Sequence, residues 1–135
     1  MNTTVERRLL QIIVAAACVV PLTAGTLGVV RGVDWLHGTG TDLDSHFRYL
    51  SGIFLGVGIA FASCVPAIER RGARFSLLGA FVVCGGLARL LSLTTVGVPG
   101  TGQVFGLVME LGVVPCLLAW QASFARRYGS GTRSR

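Results

Sequence analysis

Two oppositely charged side chains, Arg89 and Glu110, stand inside long apolar stretches of the sequence. A charge at the centre of a bilayer costs roughly 2.5–3.5 kcal/mol even on insertion-based scales, so such residues occur where they are paired or where they act on a ligand. A guanidinium beside a carboxylate is a well-matched ion pair. The same two groups are also suited to holding an anion or transferring a proton. The residue types therefore allow both a structural and a functional interpretation.

A second set of polar residues lies around the start of another apolar stretch. Asp44 and Ser45 are suitable N-caps for the helix that follows them. His46 is typical of an ordinary interfacial histidine rather than of a base or a metal ligand. We predict that an outer polar cluster forms a ligand-binding pocket near the outer membrane face. Its members are Arg31, Asp44, His46, Arg48, Arg89 and Glu110.

The sequence offers little for catalysis or metal binding. It contains no HExxH motif, and its four cysteines form no CxxC pair. We therefore assign no catalytic residue, no metal site and no cofactor. The cysteines fall in apolar runs, where small and buried thiols are expected. They are Cys18, Cys64, Cys84 and Cys116.

These residues are carried by four apolar runs. Of the 135 residues, 52% are hydrophobic and 13% are charged, whereas an ordinary soluble domain is about 25% charged. Each run has about the 20 helical residues needed to cross a hydrocarbon core, and none shows the alternation of a membrane strand. We predict an all-α, four-helix transmembrane bundle. Its spans are 9–30, 47–66, 75–94 and 103–122, with an N-terminal tail of 1–8 and a basic tail of 123–135.

The first run is expected to be a membrane span rather than a cleaved signal peptide. Its 22 apolar residues exceed the roughly 7–15 of a typical signal sequence. The small residues Ala15, Ala16 and Ala17 lie in the middle of the run, whereas a cleavage site would follow its end.

The distribution of arginines predicts the orientation of the spans. If the spans alternate in an up-and-down bundle, nine arginines and two glutamates fall on one side, and three aspartates and two arginines on the other. The positive-inside rule then places both termini in the cytoplasm of a multi-pass inner (plasma) membrane protein. Arginines at segment ends favour contact with lipid headgroups over nucleic-acid binding. The nine are Arg7, Arg8, Arg70, Arg71, Arg74, Arg126, Arg127, Arg133 and Arg135.

Small residues at fourfold spacing predict packing faces, because residues four apart share a helix face and small side chains let membrane helices approach closely. These faces should contact neighbouring helices or, alternatively, a second copy of the chain. Pro21 and Pro115 should bend or loosen their helices. The faces are Gly52, Gly56, Ala60 and Cys64 in the second span; Ser76, Ala80, Cys84, Ala88 and Ser92 in the third; Gly102, Gly106 and Glu110 in the fourth; and Ala17, Pro21 and Gly25 in the first.

The depths of Arg89 and Glu110 match. Arg89 lies ~9 Å from the outer end of the third span and Glu110 ~10 Å into the fourth, at about 1.5 Å per residue. The short 95–102 connection makes these two helices adjacent and antiparallel, and Gln103 opens the fourth span nearby. We therefore predict an ion pair between Arg89 and Glu110 in the outer half of the bundle.

Three short motifs resemble one known family. Leu43–Gly52 followed by Gly56 resembles its second-helix entry, and Gly85–Ser92 followed by Gly97 and Pro99 resembles another segment. Glu110-Leu111, with Pro115 after it, resembles its last helix. The family is a small bacterial membrane family, domain of unknown function 4345, and the resemblance covers residues 10–122. It implies a four-helix integral membrane protein and brings no established activity.

We expect a non-enzymatic membrane protein that binds a partner or small ligand through the outer polar cluster. The alternative is a membrane enzyme or redox accessory acting on a lipid-like or quinone-like substrate, in which Glu110 or Asp44 transfers a proton and the arginines hold an anion. A small transporter is disfavoured, because four spans rarely enclose a path without oligomerising. The expected partners are the lipid bilayer, another membrane protein or a second copy, and a small anionic or lipid-like ligand; nucleic acid is not expected.

Overall fold

A computed structural model of the chain describes residues 3–33 and 40–132. Over these ranges the regular structure is helical throughout and contains no β-strand, which confirms the all-α class. Some residues of the charge-based orientation lie outside the described residues, namely Asp34, Arg133 and Arg135.

The described residues form long helices joined by short connections. They are α1 (Thr3–Arg31), α2 (Thr41–Ala62), a short 3-10 helix (Val65–Ala67), α3 (Gly72–Thr95), α4 (Thr101–Val108), a π-helical turn (Met109–Val113) and α5 (Val114–Thr132). The helices extend into both predicted tails, since α1 begins at Thr3 and α5 ends at Thr132.

Four helical stretches are long and apolar enough to cross a membrane, by length and composition. They are Thr3–Arg31, Thr41–Ala67, Gly72–Thr95 and Thr101–Gly129. The chain divides into two compact units: one consists of Met1–Leu10 and Ala67–Arg135, and the other of Gln11–Pro66. We call these the C-terminal unit and the 11–66 unit.

In the 11–66 unit, glycines let α1 and α2 approach closely. A Cβ added at Gly25 would lie 2.8 Å from the backbone nitrogen of Leu55, and one at Gly58 would lie 3.0 Å from Cβ of Pro21. The prediction that Pro21 and Gly25 form a packing face of α1 is confirmed. Within the chain, the prediction for α2 is wrong at Gly56, which is exposed and has no atom within 4 Å of an added Cβ; contact with a second copy stays a prediction. The contact needs only one small residue at each crossing point, and α1 supplies it opposite Leu55.

In the C-terminal unit, α3 packs through a different face from the predicted one. Phe75, Gly79 and Gly86 are buried. A Cβ added at Gly86 would lie 2.8 Å from Leu111 Cδ2, and one at Gly79 would meet the Leu118 side chain. Glycines seven apart on α3 therefore lie against leucines seven apart on the facing helix.

The small residues predicted to form the α3 face are exposed instead. Small residues occur on both sides of α3, so fourfold spacing alone does not identify the side that meets a neighbour. The exposed residues are Ser76, Ala80, Cys84, Ala88 and Ser92.

The prediction that the four cysteine thiols are buried is confirmed for Cys18 and Cys64. It is wrong for Cys84 and Cys116, which are exposed.

A π-helical turn interrupts the last long helix just before Pro115. The backbone N–H of Val114 donates to the carbonyl of Met109, five residues earlier. Proline has no N–H to donate to the carbonyl four residues before it, and such breaks in the α-helical ladder are relieved by a wider turn. The prediction that Pro115 loosens its helix is confirmed, while α1 continues through Pro21 as one helix.

Polar contacts join three segments at one end of the C-terminal unit. Glu6 accepts hydrogen bonds from Trp120 Nε1, at 3.1 Å, and from Arg127. Gln121 Nε2 donates to the carbonyl of Ile68 at 2.7 Å, and Gln121 is 1% exposed. We call this set the terminal knot; it consists of Glu6, Arg7, Ile68, Glu69, Trp120, Gln121 and Arg127.

Within the terminal knot, Glu69 is an acidic residue whose pKa is changed by its neighbours. Arg7 binds both of its carboxylate oxygens, with Nε at 3.0 Å and Nη2 at 3.2 Å. Burial would raise the pKa of Glu69, but its own backbone N–H, the hydrogen bonds from Arg7 and the charges of Arg7 and Arg70 together lower it below the usual value. The folded protein therefore favours the ionised carboxylate.

Replacing Gly86 with alanine should destabilise the C-terminal unit, because the new Cβ would meet Leu111 and Cβ of Glu110, at 2.9 Å. We expect a loss of about 1–3 kcal/mol, typical of overpacking. The measurement is the free energy of unfolding in mixed detergent micelles. Gly85 is the matched control, because it is exposed with no atom within 4 Å of an added Cβ. Gly85→Ala should be neutral or slightly stabilising, and equal effects of the two substitutions would contradict this packing.

The lowered pKa of Glu69 gives a signed pH dependence. Its stabilisation is complete above the unfolded-state pKa, about 4.3, and is lost as pH falls through the lower folded-state pKa. Arg7→Gln should remove much of this acid-sensitive part of the free energy of unfolding, measured between about pH 7 and pH 3 in detergent. The control is Arg8→Gln, on the exposed neighbouring residue, which should keep the wild-type profile. A profile unchanged by Arg7→Gln would show that the ion pair does not stabilise the fold.

Candidate functional site

Arg89 and Glu110 form a bidentate ion pair within the C-terminal unit. Arg89 Nε lies 2.9 Å from Glu110 Oε2, and Nη2 lies 3.0 Å from Oε1. A third donor of the guanidinium, Nη1, bonds to Gln103 Oε1. The predicted ion pair is confirmed, and Gln103 completes it as a third member.

Glycines and the π-helical turn place these side chains. Gly86, one turn before Arg89 on α3, allows the facing helix to come close enough for Glu110 to reach the guanidinium. A Cβ added at Gly106 would lie 3.7 Å from Arg89 Cζ, so the guanidinium lies across the glycine. The fourth-span face predicted from Gly106 and Glu110 is therefore confirmed, whereas Gly102 has no atom within 4 Å of an added Cβ.

The two charges differ in accessibility. The side chain of Glu110 is 11% exposed, and that of Arg89 is 32% exposed. The carboxylate is therefore largely buried, while part of the Arg89 side chain remains accessible. A guanidinium carries more N–H donors than Glu110 and Gln103 engage. The site can therefore offer hydrogen-bond donors to an acceptor group while the pair itself stays neutral.

Asp44 and Arg48 form a second polar cluster, in the 11–66 unit. Arg48 Nε lies 2.7 Å from Asp44 Oδ2. Asp44 Oδ1 accepts the backbone N–H of Val33 at 2.9 Å. Arg48 Nη1 donates to the carbonyls of Val29, at 2.7 Å, and Val30, at 3.0 Å. The pair thus satisfies backbone groups at the C-terminal end of α1, where a cation is electrostatically favoured.

The N-cap predicted for α2 is wrong. The helix begins at Thr41 behind Gly40, which has no side-chain cap, and Asp44 lies already inside its first turn. Asp44 caps no amide of its own helix because its oxygens are committed to Val33 and Arg48. Gly32 makes this clamp possible: its φ of 59° is left-handed, and a Cβ there would collide with the Asp44 carboxylate.

The structure joins four of the six predicted site residues in two separate pairs. Arg31 and His46 are both exposed. Neither makes a salt bridge with another residue in the ranges 3–33 and 40–132. The gathering of all six into one ligand-binding pocket stays a prediction.

Sequence reasoning missed the terminal knot. Gly106 was identified from its spacing, since it lies one turn before Glu110 on the same face. Glu6 and Gln121 gave no such signal, because their partners lie 114 and 53 residues away in the sequence. Only folding brings these segments together.

The ion pair gives a thermodynamic prediction. Arg89→Gln or Glu110→Gln alone would leave one charge unpaired among apolar helices, at a cost of up to about 3–5 kcal/mol in the free energy of unfolding. The double variant should be more stable than either single variant, because it leaves neither charge behind. Unfolding in detergent micelles measures all four proteins, with Arg126→Gln as an exposed arginine control. Additive losses in the double variant would show that the two residues are not coupled.

Comparisons with known proteins give one match. A family model described as "Domain of unknown function (DUF4345)" matches residues 9–121 of the chain. No curated protein and no solved structure matches it.

Proposed function

The chain belongs to the DUF4345 family, and we propose that it is a non-enzymatic, multi-pass inner (plasma) membrane protein that binds a small lipid-like ligand at the Arg89–Glu110 pair. Four helices apolar enough to span a membrane support the membrane location. The arginine distribution supports cytoplasmic termini, because basic residues favour the cytoplasmic side.

One observation carries the ligand-binding proposal: an enclosed carboxylate fixes a guanidinium that is itself 32% exposed in its side chain. A ligand can reach the exposed part of this arginine, whereas a fully buried guanidinium would be inaccessible. The pair also lies beside a π-helical turn, and such turns occur frequently at functional sites. Ionisable residues within membrane spans commonly mark binding or transport sites.

The chemistry of the site favours a ligand with a hydrogen-bond acceptor and an apolar body. A guanidinium has five N–H donors, so Arg89 has donors beyond its present bonds for carbonyl, carboxylate or phosphate oxygens. Exposed apolar side chains flank it on the same helices, including Leu90, at 37% exposure, and Phe105, at 53%. A headgroup would meet the guanidinium while an acyl or isoprenoid chain lies against these residues.

The alternative is a membrane enzyme or redox accessory acting on a quinone-like substrate. The position of Glu110 favours it, because the carboxylate contacts Arg89 and is 8% exposed as a residue, conditions that suit controlled proton transfer. In that reaction Arg89 would orient a quinone carbonyl and Glu110 would exchange a proton with its oxygen.

Titration with two probes tests the proposal. Full-length protein in detergent is mixed with short-chain phosphatidylglycerol or decylubiquinone, and the shift in thermal unfolding temperature gives the affinity. At least one probe should stabilise the wild type, and Arg89→Lys should weaken that binding about tenfold or more, because lysine lacks the planar fork. Arg74→Lys, at an exposed arginine outside the site, is the control and should bind as the wild type does.

The outcomes separate the candidates. Equal binding by wild type and Arg89→Lys, or no binding of either probe, would overturn the proposal. Net reduction or oxidation of the quinone during incubation with a redox partner, abolished by Glu110→Gln, would favour the enzymatic alternative.

A further inference from the structure

We propose that the exposed arginines around the terminal knot form a binding surface for anionic phospholipid headgroups. This surface is distinct from the Arg89–Glu110 site and does not depend on the function proposed for it. The arginines are Arg8, Arg70, Arg71 and Arg126, all of which are exposed.

The terminal knot brings the segments that carry these arginines together. Arg8 follows Arg7, whose guanidinium binds Glu69, the residue before Arg70. The side chain of Gln121 on α5 donates a hydrogen bond of 2.7 Å to the carbonyl of Ile68. Ile68 lies just before Glu69 and Arg70 in the sequence. Glu6 is bonded to Trp120 and Arg127 on α5, adjacent to Arg126. Three segments that are distant in sequence therefore each carry exposed arginines beside residues of the terminal knot.

The acidic residues of this region are turned inward. Glu6 is 7% exposed and is bonded to Arg127. The Glu69 side chain is 5% exposed and is paired with Arg7. Each carboxylate is thus already neutralised inside the knot. The surface around the knot consequently presents an excess of positive charge.

The surroundings of the arginines favour lipid over a soluble polyanion. Val5 and Leu9, on either side of Arg8 along α1, are 49% and 41% exposed. The arginines lie at the ends of helices long and apolar enough to cross a membrane, which is the level of the phosphate layer. Trp120, an amphipathic ring suited to the interface, is bonded within the knot. An acyl chain along the apolar residues and a phosphate on the arginines would satisfy both features.

Arginine is well suited to this ligand. Its planar guanidinium pairs bidentately with phosphate oxygens, whereas lysine acts as a point charge. Basic surfaces near the membrane gain attraction from anionic lipids with each added cation. Two neighbouring arginines, such as Arg70 and Arg71, can bind the same phosphodiester group.

Native mass spectrometry of the full-length protein in detergent tests the proposal. The protein is titrated with phosphatidylglycerol or phosphatidylcholine, and the apparent Kd of the first bound lipid is measured. The wild type should prefer phosphatidylglycerol. The double variant Arg70→Gln/Arg126→Gln should weaken that binding about thirtyfold, from the contribution of two near-surface arginines, and leave phosphatidylcholine binding unchanged.

Control variants test whether the loss of phosphatidylglycerol binding is specific to Arg70 and Arg126. Arg31→Gln removes an exposed arginine at the other end of α1 and should keep wild-type binding of phosphatidylglycerol. Arg70→Lys/Arg126→Lys preserves the charge and should recover part of the lost affinity. Thermal unfolding of every variant checks that the fold is retained. If the glutamine pair unfolds, the lysine pair compared with wild type still decides the role of the two guanidinium groups.

Three results would overturn the proposal. They are equal affinity of wild type for the two lipids, equal loss in Arg31→Gln and the glutamine pair, and full displacement of phosphatidylglycerol by millimolar inorganic phosphate. The last would identify a free-anion site rather than a lipid surface. Raising the salt concentration should weaken phosphatidylglycerol binding by wild type more than by the glutamine pair, since exposed charges are screened.

Discussion

An arginine within an apolar helix must be neutralised before that helix is stable in lipid, and the C-terminal unit is organised around this requirement. The bidentate pair of Arg89 with Glu110 supplies the neutralisation. To form it, the helices must come close, which Gly86 allows, and the guanidinium must have room, which Gly106 provides. The π-helical turn that contains Glu110 lies at the same point of the fourth helix. Charge pairing, close packing and the helical irregularity therefore meet in one place.

The same rule governs the other charged clusters, with different consequences. Glu6 and Glu69 are paired within the terminal knot and so secure helix ends rather than form a site. Asp44 accepts a hydrogen bond from the backbone N–H of Val33, and Arg48 donates one to the carbonyl of Val29, so both side chains bind backbone groups at the end of α1. Both arrangements use charged side chains to satisfy groups that helix termini leave unpaired. Among these clusters, the pair containing Arg89 joins two membrane-length helices beside the π-helical turn of the second.

The distribution of charge separates two kinds of surface in the C-terminal unit. Where a charge lies among apolar residues it is matched, as Glu110 matches Arg89. Where the helices end, the acids are enclosed and arginines such as Arg70 and Arg126 remain exposed. A matched pair offers directional hydrogen bonds to one ligand, while an unmatched cationic surface attracts a layer of anions. The two proposed binding activities follow from these two kinds of charge.

The sequence alone determined the helical class, the four membrane-length stretches and the Arg89–Glu110 pair. Hydropathy, spacing along a helix and the cost of an unpaired charge are local or nearly local properties, and one short connection made two helices neighbours. Tertiary structure decided which side of α3 packs, because small residues lie on both sides and only the leucines of the facing helix select Gly79 and Gly86. It likewise assigned Asp44 to the end of α1 instead of to its own helix. A side chain with two available partners takes the one that folding brings within reach, and linear spacing does not contain that information.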